Sequence, residues 1–115
     1  MRDHTRLKVF ELADQLAVDI YQNTADFPES ERYGLQSQMR RAAVSIATNI
    51  VEGCSRSTQR DYSRFIEIAF GSARELQYQV DLAARLGYLP AHPPLAAKCT
   101  SVAKALNGLL RSLRS

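Results

Sequence analysis

Residues 58–86 read TQRDYSRFIEIAFGSARELQYQVDLAARL, and within them Tyr62, Ile66, Ala69, Ala73, Leu76, Val80 and Ala83 follow one another at alternating steps of four and three. That spacing puts all of them on one side of an α-helix, and a repeat averaging 3.5 residues is the seam by which helices pack in bundles. A strand would need alternation with a period of two, which the stretch lacks. Thr58, with Asp61 three residues on, supplies a start signal related to the capping box.

Working outward, Ser55-Arg56-Ser57-Thr58 is a turn, and before it Leu35, Met39, Ala42, Ala43, Ile46 and Ile50 mark one face of a helix over 34–53. Gly53 is expected to end that helix as a left-handed C-cap. Further back, Val9, Leu12, Ala13, Leu16, Ala17 and Ile20 give a first helix over 8–23, stopped by Phe27-Pro28. Beyond the central stretch, Gly87-Tyr88-Leu89-Pro90 with Pro93 and Pro94 breaks the chain once more. Leu95, Cys99, Val102, Leu106, Leu109 and Leu113 then mark a fourth helix over 94–113. Short connections make successive helices antiparallel neighbours, so the spacing predicts an all-α, up-down-up-down antiparallel four-helix bundle forming one domain over residues 1–115.

Composition excludes the main alternatives. A chain of 115 residues that is 45% apolar and 23% charged is the size and make-up of one ordinary globular domain. No stretch approaches the roughly 18 uninterrupted apolar residues of a membrane span, and Met1 to Phe10 has no apolar secretory core, so a cytoplasmic location is expected. Cys54 and Cys99 show no CxxC spacing and are expected to be reduced thiols. The glycines are isolated, so no phosphate-binding loop is present. With His4 and His92 as the two histidines, no histidine metal cluster or catalytic triad can be assembled. Glu52, Glu67 and Glu75 could be imagined as a di-metal set, but the Glu-x-x-His motif of such bundles is absent. The expectation is a non-enzymatic protein without metal or cofactor.

Charge is unevenly spread. The net charge is +3, yet residues 1–31 hold three basic and seven acidic side chains, 32–81 hold seven and five, and 82–115 hold five and none. Twelve of the fifteen cations are arginine, the cation suited to bidentate phosphate and carboxylate contacts. Arg40, Arg41, Arg56, Arg60 and Arg64 are the candidate nucleic-acid contacts, although Arg40 lies more than two turns from the hairpin end near which the last three gather. Lys98, Lys104, Arg111 and Arg114 spread over the fourth helix, where a plain solvated face explains them equally well.

The second and third helices carry more than one stripe. Ser37, Val44, Thr48 and Val51 lie opposite the core face of the second helix. Ile68, Gly71, Glu75, Tyr78 and Leu82 lie roughly opposite that of the third. Apolar and small residues all round mark a helix that is buried all round, so self-association through these two helices is expected, with Ser37, Val44, Thr48, Val51, Ile68, Gly71, Tyr78 and Leu82 at the interface. A third, polar stripe on the second helix, Gln38, Arg41, Ser45, Asn49 and Glu52, is expected to be hydrogen-bonded in an interface or to line an aqueous channel.

Several motifs in this order resemble a bacterial family. They are Phe27-Pro28-Glu29, Tyr33-Gly34-Leu35, the run from Gln38 to Ile46, Asn49-Ile50-Val51-Glu52-Gly53, Phe65, Ala69-Phe70-Gly71-Ser72, Glu75-Leu76 and Leu86-Gly87-Tyr88-Leu89. Together they look like the four-helix-bundle proteins first recognised in intervening sequences of 23S ribosomal RNA genes, over about residues 9 to 89. That family is similar in fold to the accessory variability protein of diversity-generating retroelements, a basic homopentamer that binds nucleic acid and a reverse transcriptase. The resemblance implies a ring-like homopentamer with subunits around a central channel and, more weakly, nucleic-acid binding. Ala47 stands where the family commonly has proline and Val51 where it has alanine; the bulkier Val51 bears on subunit spacing.

Two functions fit these residues. One is an oligomeric helical module holding RNA or DNA through its arginines. The other is a protein-interaction or structural assembly in which those arginines pair with Glu52, Glu67 or Glu75. Salt separates them, because phosphate binding weakens steeply with ionic strength and an apolar interface does not.

Overall fold

In the computed structural model, which describes residues 1–114, Thr58 accepts a hydrogen bond from the Asp61 amide at 3.1 Å and opens the longest helix, α3, Gln59–Arg85. The others are α1, Lys8–Thr24, α2, Leu35–Cys54, and α4, Pro94–Arg114, with short 3-10 turns at His4–Arg6 and Glu29–Glu31. Among the described residues there is no strand, and no helix is long and apolar enough to cross a membrane. Ser115, the last residue of the expected domain, lies outside the described residues.

Each helix packs on two others, α1 on α2 and α4, α3 on α2 and α4. Cross-links fix the directions. Gln36 near the start of α2 donates to the Thr24 carbonyl at the end of α1, at 2.6 Å. Gln59 at the start of α3 donates to the Leu113 carbonyl at the end of α4, at 3.1 Å. The chain therefore runs up, down, up, down, in a body of 43 × 23 × 19 Å.

All the expected seam residues of α2 and α3 are buried. In α1, Leu12 and Ala17 are half-buried, while Asp19 and Thr24 are buried. In α4, Leu95, Cys99, Val102 and Leu106 are buried as the spacing requires, but Leu109 and Leu113 are only half-buried and Ala103 and Leu110 take their place. At 100° per residue Ala103 and Leu110 sit toward the flank of Thr100, whose hydroxyl accepts from Gln77 of α3 at 3.3 Å. The C-terminal half of α4 thus leans on α3, and a strict heptad extrapolated along a straight helix misses the turn.

Helix ends follow side-chain chemistry. Gly87, at φ 81°, ends α3: the Tyr88 amide donates to Ala83 O at 2.9 Å and the Gly87 amide to Ala84 O at 3.1 Å, a Schellman motif that needs the left-handed residue. Tyr88 then packs its ring 5.3 Å from that of Phe27 and donates to Glu31 Oε2 at 3.0 Å, while Glu31 Oε1 accepts the first amide of α2, Leu35 N, at 3.0 Å. One carboxylate so joins the end of α3 to the start of α2. The end of α1 is capped from α2: Arg40 Nε donates to Thr24 Oγ1 at 2.9 Å, its Nη2 to Tyr21 O at 3.2 Å, and its plane lies 4.6 Å over the Tyr21 ring.

Gly53 is not the C-cap. α2 continues through Cys54 and turns at Ser55 in right-handed geometry. A Cβ at Gly53 would stand 3.1 Å from Phe65 Cβ and 3.3 Å from the Tyr62 carbonyl oxygen. Glycine is required there because α2 and α3 cross closely, not for its backbone freedom.

Candidate nucleic-acid interface

The turn between α2 and α3 brings three of the five candidate arginines to one end of the bundle. Arg56 pairs with Glu52, one turn back, and its guanidinium lies 4.7 Å over the Phe65 ring; Arg64 lies 5.2 Å over the same ring. Arg60 and Arg64 border a shallow depression with Thr58, Asp61, Ser63 and Glu67. Arg2 joins this end. Its amide donates to Cys54 O at 2.8 Å and its guanidinium lies 3.8 Å over the Tyr62 ring. The other two candidates stand elsewhere. Arg40 spends its donors capping α1, and Arg41 faces a groove between α2 and α3.

That groove holds most of the polar stripe. Gln38, Arg41 and Ser45 of α2 face Ser72, Glu75 and Gln79 of α3 across a cleft of about 360 Å³. Ser45 Oγ and Ser72 Oγ are 2.9 Å apart, and Asn49 Nδ2 donates to Ser45 O at 2.8 Å. Glu52 belongs instead to the arginine end. Ser72 and Gln79 are not among the residues that the stripes of α2 and α3 single out. The available signal is their seven-residue separation, each three residues beyond a seam position, which puts both beside the seam.

The expected interface residues divide as well. Val44, Val51, Ile68 and Tyr78 are 37 to 60% exposed. Thr48 and Gly71 are also exposed, the latter with open space over its Cα, whereas Ser37 is half-buried and Leu82 packs against the core. Val18 and Tyr21 of α1, 45 and 46% exposed, add an apolar strip that the sequence pattern does not single out. Tyr21 and Val44 border the same depression between α1 and α2.

Titrating groups at the arginine end are perturbed chiefly by burial. Burial pushes the Cys54 thiol up, with Arg2 opposing, and it pushes the Tyr62 phenol up, its hydroxyl having no hydrogen-bond partner among the described residues. Burial takes the Cys99 thiol to about 12. Both thiols are free and buried. On the far side, burial raises the Asp19 carboxyl, but hydrogen bonds from Lys98 Nζ at 2.7 Å and Gln15 at 3.1 Å, with the Lys98 charge, more than offset it, leaving the group below its ordinary value.

Four antiparallel helices, with an arginine-rich end and a polar cleft between exposed apolar strips, define an all-α bundle. The model of the 23S rRNA-intervening sequence protein family matches residues 5–108, and the chain belongs to that family. A crystal structure of a protein of unknown function from the S23 ribosomal protein family of Bacteroides thetaiotaomicron VPI-5482 superposes with a TM-score of 0.80. It is 23% identical, and the match covers 90% of this chain and 98% of that one, a likeness of fold. No curated protein matches.

Proposed function

We propose that the protein is a self-assembling, non-enzymatic module of the cytoplasm that holds nucleic acid, RNA or DNA, by its phosphates at the arginine end. The observation that carries this reading is the convergence of Arg56, Arg60 and Arg64, with Arg2, on one end of the bundle. Guanidinium groups there attract phosphates and release their counterions on binding. Both thiols are unpaired and buried, which suits a reducing compartment and leaves neither as a nucleophile.

Self-assembly is supported by apolar surface on either side of the α2/α3 cleft: Val18, Tyr21, Val44 and Val51 toward α1, Ile68 and Tyr78 on α3. Joining one strip to the other strip of the next copy is a heterologous contact, which closes into a ring when the rotation allows. The cleft between the strips then faces the lumen, and each copy adds an arginine end to one electropositive rim. Many weak phosphate contacts in one assembly become a strong one.

The rival reading, a protein-interaction assembly that binds no nucleic acid, is favoured by the Glu52 partner that Arg56 already has. Anisotropy titration of a labelled single strand against salt decides between them. The affinity should fall linearly on a log scale, and Arg60→Gln with Arg64→Gln should flatten the slope by about 0.7 for each phosphate no longer neutralised. Absence of any binding at low salt would favour the rival. Light scattering should give a multiple of the 12.9 kDa chain mass, and a monomer at micromolar concentration would refute the assembly.

A further inference from the structure

The α2/α3 cleft carries chemistry that holding phosphates does not use. Gln79 is 6% exposed, and its carbonyl oxygen is wholly buried without a hydrogen-bond partner among the described residues. A buried amide left unsatisfied is costly, and natural proteins keep such groups where a ligand, water or partner completes them. Rotation about the terminal torsion of Gln79 turns either its oxygen or its NH2 toward the cleft. Beside it, Ser45 and Ser72 share one hydrogen bond between two hydroxyls, so one O–H remains to donate whichever way that bond runs.

Arg41 and Glu75 stand on opposite walls of the same cleft, yet neither has an ion-pair or hydrogen-bond partner for its side chain among the described residues. The Ser45–Ser72 contact sets the antiparallel register, in which one turn back along α2 meets one turn further along α3 and brings Arg41 opposite Glu75. In the other direction the same register leads to Glu52, Arg56 and Phe65 at the arginine end. Cleft and arginine end therefore follow one another along the same side of the α2/α3 hairpin, two separate depressions about two helical turns apart.

We infer that the cleft reads a base of the strand whose phosphates the arginine end holds, and that the base it prefers is guanine. This rests on the phosphate-holding reading above. The carboxylate of Glu75 repels a sugar-phosphate backbone, so a strand that reaches from the arginine end to the cleft turns a base edge, not a phosphate, toward it. Single-stranded nucleic acids are read in this way, by hydrogen bonds to the edges of unstacked bases. Guanine presents two acceptors, O6 and N7, to an arginine fork and a donor, its N2 amino group, to a carboxylate, so it satisfies Arg41 and Glu75 together. Uracil offers no amino group to Glu75. The Gln79 amide and the free serine hydroxyl accept or donate as the base requires.

The test is anisotropy titration of the full chain with a uridine oligonucleotide of about twelve residues, and with the same oligonucleotide carrying one central guanosine. The guanosine should tighten binding about ten-fold, the size of one good bidentate base contact. Glu75→Gln should remove most of that gain, read as the ratio of the two affinities within the variant, and Arg41→Lys, which keeps the charge but loses the fork, should do the same. Equal wild-type affinity for both oligonucleotides, or a gain that persists in Glu75→Gln, overturns the base reading while the phosphate reading stands. Failure to bind either oligonucleotide overturns the phosphate reading and this inference with it. Glu75→Gln that changes the size of the assembly instead of the guanosine gain would show the cleft to be filled by a second copy, which also overturns it.

Discussion

Replacing Gly53 by alanine sets two effects of known sign against each other. Within a helix, Gly→Ala ordinarily stabilises by about 0.5–1 kcal/mol, because glycine loses more backbone freedom on folding. At Gly53 the added methyl would meet Phe65 Cβ at 3.1 Å and Tyr62 O at 3.3 Å. Neither atom can swing away, since one is a Cβ and the other a main-chain oxygen of α3, so α3 itself must shift; overpacking of this kind costs about 1–3 kcal/mol. The clash should win, with a net loss of about 1 kcal/mol, or a melting temperature about 4 °C lower for a chain of this size. Gly108, in α4 with nothing within 4 Å of its would-be Cβ, serves as the control. There the propensity gain stands unopposed, so Gly108→Ala should melt higher by a similar amount. Differential scanning calorimetry of both variants gives the answer. If Gly53→Ala gains stability as Gly108→Ala does, α2 and α3 do not cross as closely as described, and the reason given for this glycine is wrong.

The remaining predictions concern buried polar groups. Arg40→Ala should cost about 1–2 kcal/mol in urea unfolding, through loss of the cap on the Tyr21 carbonyl, the hydrogen bond to the Thr24 hydroxyl and the stacking on Tyr21, and should leave the salt dependence of strand binding untouched. Asp19 titrates below its ordinary value in the fold, so its contribution is present above about pH 4 and lost as pH falls through the lower folded value; Lys98→Ala should weaken that acid dependence. The Cys99 thiol is raised to about 12, so its contribution is complete below its unfolded value. From about pH 8.5 toward 12 each pH unit should cost up to about 1.4 kcal/mol, and Cys99→Ala should remove that alkaline slope. Native Cys99 should resist alkylation that proceeds readily after unfolding.

The four helices and most of the core were legible because a bundle seam is a one-dimensional pattern: each apolar side chain declares its face by its spacing alone. The pattern failed where a helix leans. Leu109 and Leu113 have the right spacing for the α4 seam, yet the lean toward α3 exchanges them for Ala103 and Leu110, and lean is set by the partner helix. Gly53 reads as a cap for a related reason. Glycine has two uses, and the choice between left-handed backbone and close approach depends on what stands opposite, here Phe65 and Tyr62. Of the arginines, spacing could place Arg56, Arg60 and Arg64 near one end, but only tertiary structure reveals that Arg40 is bound to α1. Ser72 and Gln79 escaped because a polar residue beside a seam gains its meaning from the helix across the groove.

One physical tension runs through this surface. A helix hairpin meant only for stability would fill the space between α2 and α3 with apolar side chains, since a half-satisfied polar cleft is less stable than a packed one. Here the inner side of the hairpin does that, with Ala42, Ala43, Ile46, Ala69, Ala73 and Leu76 all buried. The outer side instead holds two serines, a buried amide oxygen and two facing charges, these last three without partners among the described residues. The same hairpin carries glycine at a close crossing and small residues along its seam, which bring the two helices together and keep the outer cleft shallow. Substituting Gln79 by methionine fills nearly the same volume without the buried oxygen, and should therefore hold or raise the melting temperature. If it lowers stability markedly, the amide is satisfied within the fold, and the cleft loses the feature that points to a ligand.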